Sequence, residues 1–572
     1  MTTIRRRTAL VLCVCMLCSA LHIHGFAAGT AYGPYEYDEY VRPEDGTQEI
    51  NDSYTFGRLK KAPLNLINGT VNALLCGLSL GYPSPREWKN VRDFDGEGFL
   101  PGRKTYAKKA GKNNVWRVGY GSRSIIPDDF EPGKYYLARD VEQIMAIGVQ
   151  DDNRVRAAAF DDGSGEGAVI FAVADALGVT RADTLTVRKR VLEWAKKKNI
   201  PISSINLSAT HSHSAIDTQG ITTELGHKLV ANYWRNMLNV RSADKKLKNA
   251  DAFKAYYLNA VTEAIREALL DMRPGKLSYA RVDTSKYAHD KRGLIAAEDL
   301  PDAAVFRFDP ADGSAGVYFA DVACHPTSFD ARHKLLSADY IYSMEQRVAE
   351  KTGYRFLFAQ GPSGMISRRN VSVDESRLPE SERLGAETRY MGKVFADTIL
   401  RAKLQKLSPV LNVRHRQFLH SPDNKALVLA AEARLVNDAA YTDRMRTKLS
   451  VVVEEGYVEF GGRVGLCLFP VELYPETFYG TQILNGGDYK SIAWDGKEWD
   501  SPVPADLAPR KGIELFAMHL TNDSLGYCVP DTDYAFVARI LADGDWDEAL
   551  SLGKHTASAL VGEFQKLMES LG

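Results

Sequence analysis

Short runs of strand-like, largely apolar character separated by amphipathic ones set the rhythm of this chain. The runs 168–174, 203–209, 317–323, 355–359, 464–469 and 513–519 have strand length and are bounded by turn-forming residues. Between the first two, 182–198 carries Val187, Val191, Leu192 and Trp194 on one stripe. It closes on Lys196-Lys197-Lys198, which predicts a helix whose basic end complements its dipole. Another helix is expected over 340–351. Strands alternating with helices predict an α/β chain: a mixed, partly parallel sheet with helices packed on it. The run 64–80 is apolar but broken by Asn and Gly, so a packing helix is expected there instead of a membrane span. No internal repeat or low-complexity linker is visible.

The amino terminus changes the picture. Arg5-Arg6-Arg7 precede an apolar stretch, 9–21, that is short for a bilayer, and small residues follow as far as Ala28. This pattern predicts an export signal over 1–28 and a secreted or cell-envelope protein. Residues 29–115 are then expected to form an N-terminal extension, and 116–572 the main domain. The 572 residues are 45% hydrophobic and 25% charged, which excludes wholesale disorder and a polytopic membrane protein. Lys+Arg 72 against Asp+Glu 73 gives no basic excess, so no nucleic-acid partner is expected. Cys13, Cys15 and Cys18 fall in the leader, and Cys76, Cys324, Cys467 and Cys528 are far apart without a CxxC pair. That argues against both a disulfide framework and a cysteine zinc ribbon.

The chemistry is concentrated where the apolar runs stop. Run 203–209 leads into Thr210-His211-Ser212-His213-Ser214, and run 317–323 into Cys324-His325-Pro326-Thr327-Ser328. Run 355–359 leads into a Gly- and Ser-rich loop that includes Ser363 and Ser367. Run 464–469 is followed by Pro470-Val471-Glu472, and 513–519 by 520–527, which ends in Tyr527. Open α/β sheets bind ligands at the carboxyl ends of their strands, so these clusters are expected to meet in one active site there. Imidazole and carboxylate donors suit a zinc ion with one position left for water. On an extended chain the two imidazoles of H-x-H point the same way, so one can ligate while its neighbour moves a proton.

Taken in order, these clusters resemble the catalytic domain of the neutral (alkaline, non-lysosomal) ceramidases over roughly Trp116 to the C-terminus. There, a T-H-T-H-S-like motif, an H-x-T-S motif, a P-x-E-like segment and an N-x-x-x-x-Y-like stretch occur in the same sequence. The resemblance implies Zn2+ held by His211, His325, Glu472 and Tyr527, with His213 as the proton-transfer residue. It also places Arg292 near the reacting carbonyl, where a guanidinium stabilises an oxyanion. Ser367 keeps the serine of the family's G-D-V-S-P-N motif, although the Asp and Pro are replaced in Gly364-Met365-Ile366-Ser367-Arg368-Arg369-Asn370. Ala215-Ile216-Asp217 stands where the family is glycine-rich, Arg539 stands in place of an aromatic residue, and no C-terminal β-sandwich domain is expected. The implied activity is hydrolysis of an N-acyl lipid amide, with the lipid substrate as partner and peripheral contact with a membrane surface. Two other readings remain open from the residues. One is a serine hydrolase using Ser363 or Ser367, although Gly361-Pro362-Ser363-Gly364 is not G-x-S-x-G. The other is a non-catalytic exported protein that binds a metal or ligand on the same scaffold.

Overall fold

Strands that are apolar on both faces need a covering layer on each side, and the layers of this protein follow from that requirement. The computed structural model describes residues 58–571 except 83, 86, 139–143, 221–232, 235–236, 238–247, 293–294, 330–332, 370, 372, 434–439, 446–447, 481–500 and 537–546. The expected leader, the start of the extension and Arg539 lie outside the described residues.

The first sheet has nine strands. In chain order they are β1 (Trp116–Ser124), β2 (Arg154–Asp161), β3 (Ala168–Ala174), β4 (Ile202–Ala209), β5 (Arg273–Val282), β6 (Ala303–Pro310), β7 (Val317–Val322), β8 (Arg355–Gln360) and the short β9 (Gln405–Lys406). Across the sheet the order is β8-β7-β6-β5-β1-β2-β3-β4, with β9 added beside β5. Helix α1 (Arg181–Lys198) joins β3 to β4, α2 (Lys248–Leu270) follows β4, α3 (Tyr340–Thr352) joins β7 to β8, and α4 (Ala386–Leu400) comes after β8. Each half is therefore an antiparallel three-stranded meander, a helix, a fourth strand parallel to the third, and a second helix. The halves meet where β1 pairs antiparallel with β5. The sequence shows no repeat, yet the architecture repeats, because topology depends on the pattern of apolar positions and not on residue identity.

Helix ends are specified locally. Thr180 caps α1 by accepting from the Asp183 N–H, and Asn199 ends it in the left-handed region with φ 55°. All four helices lie on one face of the sheet. On the first half Val187 and Val191 of α1 and Tyr257, Val261 and Ile265 of α2 pack with Val155, Ile170 and Leu207. Met344 and Phe395 do the same over Val305, Ala320 and Phe358 on the second half.

A second, six-stranded sheet covers the other face. It contains β10 (Leu411–His420), β11 (Leu449–Phe460), β12 (Val464–Leu468) and β13 (Glu514–Met518), with Lys89–Asn90 and Ala440–Thr442 at one edge. Phe160, Phe171, Phe306 and Phe319 of the first sheet gather around Phe460 of β11, the closest ring centroids being 5.0 Å apart. Helix α5 (Thr556–Glu569) seals the outer face of this sheet through Leu560, Phe564 and Leu567. The result is four layers: helices, sheet, sheet, helix.

The segment before Trp116 is tied into this body. Arg103 is buried, its Nη1 lies 3.0 Å from Asp162, and its Nη2 donates to the Gly167 carbonyl at 2.8 Å. The helix Arg58–Gly81 packs on Lys425–Glu432, and no helix among the described residues is long and apolar enough to cross a membrane. Strand β11 has buried Glu454, Glu455 and Glu459. Glu454 receives both Nη groups of Arg188 from α1, at 2.9 and 2.5 Å. Burial alone would raise this carboxyl, but the guanidinium outweighs it and holds the group down at about 2. Removing one partner of such a pair leaves the other charge buried alone. Arg188→Met is therefore expected to destabilise the protein by about 3–5 kcal/mol, read as a lowered urea midpoint, and adding Glu454→Gln should recover part of the loss.

Candidate metal centre

Three parallel pairs, β3/β4, β7/β8 and β12/β13, bring their carboxyl ends to one edge of the two sheets. Backbone bonds stitch the loops that follow. His519 N–H donates to the Gln360 carbonyl at 3.0 Å, Thr521 bridges Ser208, and Glu472 N–H donates to the Gly526 carbonyl at 2.9 Å.

His211 leaves β4 in the left-handed region, with φ 67°. The H-x-H motif is therefore turned, which corrects the extended geometry expected from its spacing. The conformation costs about 1–2 kcal/mol in a residue with a Cβ, and it is held by Nδ1–H donating to the Leu177 carbonyl at 2.6 Å. Both rings still converge, 4.9 Å apart and nearly perpendicular. His325, just past β7, donates Nδ1–H to the Ile366 carbonyl at 3.2 Å. Its ring lies 4.8 Å from that of His211. One nitrogen from each of His211, His213 and His325 falls within 4.8 Å of the others.

Glu472 comes from the second sheet, where Glu472–Leu473 pairs in parallel with Tyr527–Cys528. Its buried carboxylate stands between the two histidines, with Oε2 3.3 Å from His211 Nε2 and Oε1 2.7 Å from His325 Nε2. A carbonyl only accepts, so both Nδ1 atoms carry the hydrogen. In the neutral rings each Nε2 is then a lone pair. Two lone pairs aimed at the two oxygens of a carboxylate repel it unless positive charge lies among them. A divalent cation bound by imidazole nitrogen and carboxylate oxygen meets that demand. The donors fit the ion chemically: His211 Nε2 and Glu472 Oε1 are buried without a hydrogen-bond partner, and imidazole and carboxylate are the right types.

Protonation offers only part of the same charge. Burial disfavours the His211 imidazolium, but Glu472 outweighs it and the net shift is upward. At His325 burial wins over the same carboxylate and the shift is downward. Burial works against the Glu472 carboxylate too, yet the two histidines hold it well below the usual range. His213 is pushed far down, by burial first and then by His211 and His325, so its imidazole is a neutral base.

The other expected residues lie around this core. Tyr527 is the register partner of Glu472, on the same face of the two-stranded ribbon, and its ring is 6.4 Å from that of Tyr474. Arg292 is buried and engaged: Nε lies 3.0 Å from Asp290, Nη2 lies 2.6 Å from Glu476, and the guanidinium stacks 4.8 Å over Tyr474. Ser367 bridges His325 through the backbone, and its hydroxyl is 3.3 Å from that of Thr327. Ser363 is fully buried, and its hydroxyl makes no hydrogen bond among the described residues.

Sequence reasoning passed over three neighbours. His519, the last residue of an apolar run, is fully buried, with its ring 6.2 Å from that of His211. His289 pairs with Ser367 across a second ribbon, and Lys291 follows it by two residues. The alternation His289, Lys291 against Asp290, Arg292 was the available signal for which side chains share a face.

No family model matches the sequence, and no curated protein matches it. Solved structures do. The chain is similar to the neutral ceramidase from Pseudomonas aeruginosa, with a TM-score of 0.57, 16% identity, and 80% of this chain and 75% of that chain covered. It is also similar to a ceramidase complexed with C2, with a TM-score of 0.53, 14% identity and the same coverage. The chain has the fold of these enzymes.

The geometry predicts about one divalent ion per chain at a site of this donor set. Competition with a chromophoric chelator should show that His325→Ala and Glu472→Gln each weaken binding by more than the roughly 10–100-fold that losing a partner of a ligand costs.

Proposed function

We propose that the protein is an exported zinc-dependent amidohydrolase that cleaves the amide bond of an N-acyl lipid of ceramide-like chemistry. The observation that carries this reading is the Glu472 carboxylate held between the Nε2 atoms of His211 and His325, at 3.3 and 2.7 Å. The fold shared with neutral ceramidase supports the amide as the bond attacked. The basic and apolar leader supports export.

His211, His325 and Glu472 would hold the ion, with Tyr527 beside Glu472 as a fourth donor. When bound, the ion supplies a water acidified to a pKa near 7. His213 accepts the proton from the attacking water on its unpartnered Nε2 and delivers it to the leaving amine nitrogen. The products are a carboxylate and an amine. Arg292 has its charge balanced by Asp290 and Glu476, so its part is positional: it holds the Tyr474 ring, which packs edge-on against Tyr527. Burial keeps bulk water from the imidazoles, which strengthens each of these interactions.

The serine reading has less to stand on. Among the described residues neither Ser363 nor Ser367 has an imidazole within hydrogen-bond reach of its hydroxyl, and a serine nucleophile needs one.

With a short-chain N-acyl sphingosine as substrate, chelation is expected to abolish turnover and added zinc to restore it. Activity that survives both chelation and His325→Ala overturns the reading. His213→Ala should lower kcat by about 10²–10⁴ and leave KM nearly unchanged, measured by steady-state release of the amine.

A further inference from the structure

The ribbon formed by Ala288–Asp290 and Ile366–Arg368 is one wall of the metal centre, and its two faces differ in kind. Side chains alternate along it. One face carries Ala288 and Ile366, packed with Ile295 and Leu300, together with the Asp290–Arg292 pair. The other face carries His289 and Ser367 as register partners, and His325 bridges Ser367 on the far side. His289, Ser367 and His325 therefore form a row across one surface, with Glu472 beyond.

Lys291 extends that surface by one step. Its backbone N–H donates to the Met365 carbonyl at 3.0 Å, which keeps it in register, and alternation puts its side chain on the face of His289 and Ser367. Lys291 is exposed, yet its charge acts on the buried His211 and His325 and the partly buried His213 as well as on His289. No carboxylate pairs with it among the described residues. Arg369, two residues beyond Ser367 on the same face, donates Nε–H to the Ala288 carbonyl at 3.0 Å and also has no carboxylate partner among the described residues. Between these cations, the His289 Nδ1 is buried without a hydrogen-bond partner. Burial, followed by Arg369, pushes this imidazole down to about 4, so it is a neutral donor or acceptor.

Uncompensated positive charge is a poor neighbour for a neutral amide whose leaving amine gains a proton. It is a good neighbour for an anionic oxygen group close to the scissile nitrogen. We propose that this wall selects amides bearing a carboxylate on the carbon next to the scissile nitrogen, N-acyl amino acids in chemical class, with Lys291 as the residue that reads the carboxylate. The inference rests on the amidase reading and narrows its substrate: the acyl chain stays, and the amine half becomes anionic.

Two matched ligands test it, N-decanoylglycine and its neutral isostere N-decanoylglycinamide. Binding to metal-stripped protein is measured by calorimetry, and hydrolysis is measured separately after zinc loading. The acid is expected to bind about 10–100-fold more tightly than the amide, the range for a charge-assisted hydrogen bond. Lys291→Met should bring the two affinities together, Lys291→Glu should reverse their order, and Lys291→Arg should keep the preference. Circular dichroism and thermal melting confirm that each variant folds. Equal binding of acid and amide by the unmodified protein, or a preference that survives Lys291→Met, overturns the proposal. Lys291-dependent selectivity without hydrolysis of either ligand supports the carboxylate site and removes the amidase reading. Hydrolysis without preference for the acid does the reverse.

Discussion

A carboxylate placed between two imidazole lone pairs is unstable by itself, and the surrounding structure is arranged so that these groups cannot move apart. Each histidine is pinned through its other nitrogen to a backbone carbonyl, Leu177 for His211 and Ile366 for His325. Glu472 is fixed by its own N–H on Gly526. None of the three can rotate away to find water, because all are buried. With both Nε2 atoms unprotonated the contact is repulsive, and positive charge among them, from a proton on His211 or from a bound cation, converts it into attraction. This is preorganisation: the ordering cost is met during folding, by the sandwich and its backbone bonds, before any ion arrives.

That folding is supported by charges in unusual places. Glu454, Arg188 and Asn522 form a buried group beneath the loop that leads to Tyr527, with Asn522 Nδ2–H donating to Glu454 at 3.2 Å and Asn522 Oδ1 accepting from the Leu207 N–H at 3.0 Å. The group links α1, β4, β11 and the loop after β13. Arg103 with Asp162, and Arg156 with Asp175 and Glu345, make similar links elsewhere in the first sheet. Buried pairs of this kind contribute little net stability, and their value lies in directionality. They fix how strands and loops are placed, and a site assembled from distant segments requires that.

Much of the architecture was legible in the chain. Strands β3, β4, β7, β8, β12 and β13 fall within a residue or so of the expected runs, because each is a short, mostly apolar stretch that ends at a polar or turn-forming cluster. Helices α1 and α3 were equally clear. The antiparallel pair β10 and β11 was not, since Arg414, Arg416, Glu454, Glu455 and Glu459 make it look like a solvated stretch, although the three glutamates are buried. The second sheet was therefore missed as a separate layer, and the repeat of the first was hidden by divergent sequence. At the site, residue types and strand ends pointed to His211, His213, His325 and Glu472 as neighbours. The turn at His211 was invisible, because a positive φ in a histidine depends on a carbonyl more than thirty residues earlier in the chain. His519 and Lys291 were overlooked because a lone histidine in an apolar run and a lysine in a polar one carry no local signature.

The two halves of the candidate metal centre hang from different sheets: His211 and His325 follow β4 and β7, whereas Glu472 and its register partner Tyr527 follow β12 and β13. Between their ends, stacked sheets meet through side-chain packing, which resists separation far better than it resists small lateral slippage, and at the site's edge a few hydrogen bonds such as His519 N–H to the Gln360 carbonyl join them. An ion held there, as proposed, would act as a clasp across that seam. Alignment of the whole sandwich and integrity of the coordination sphere would then become a single property, so a disturbance in the aromatic layer far below would be felt first as a change in how tightly the ion is held.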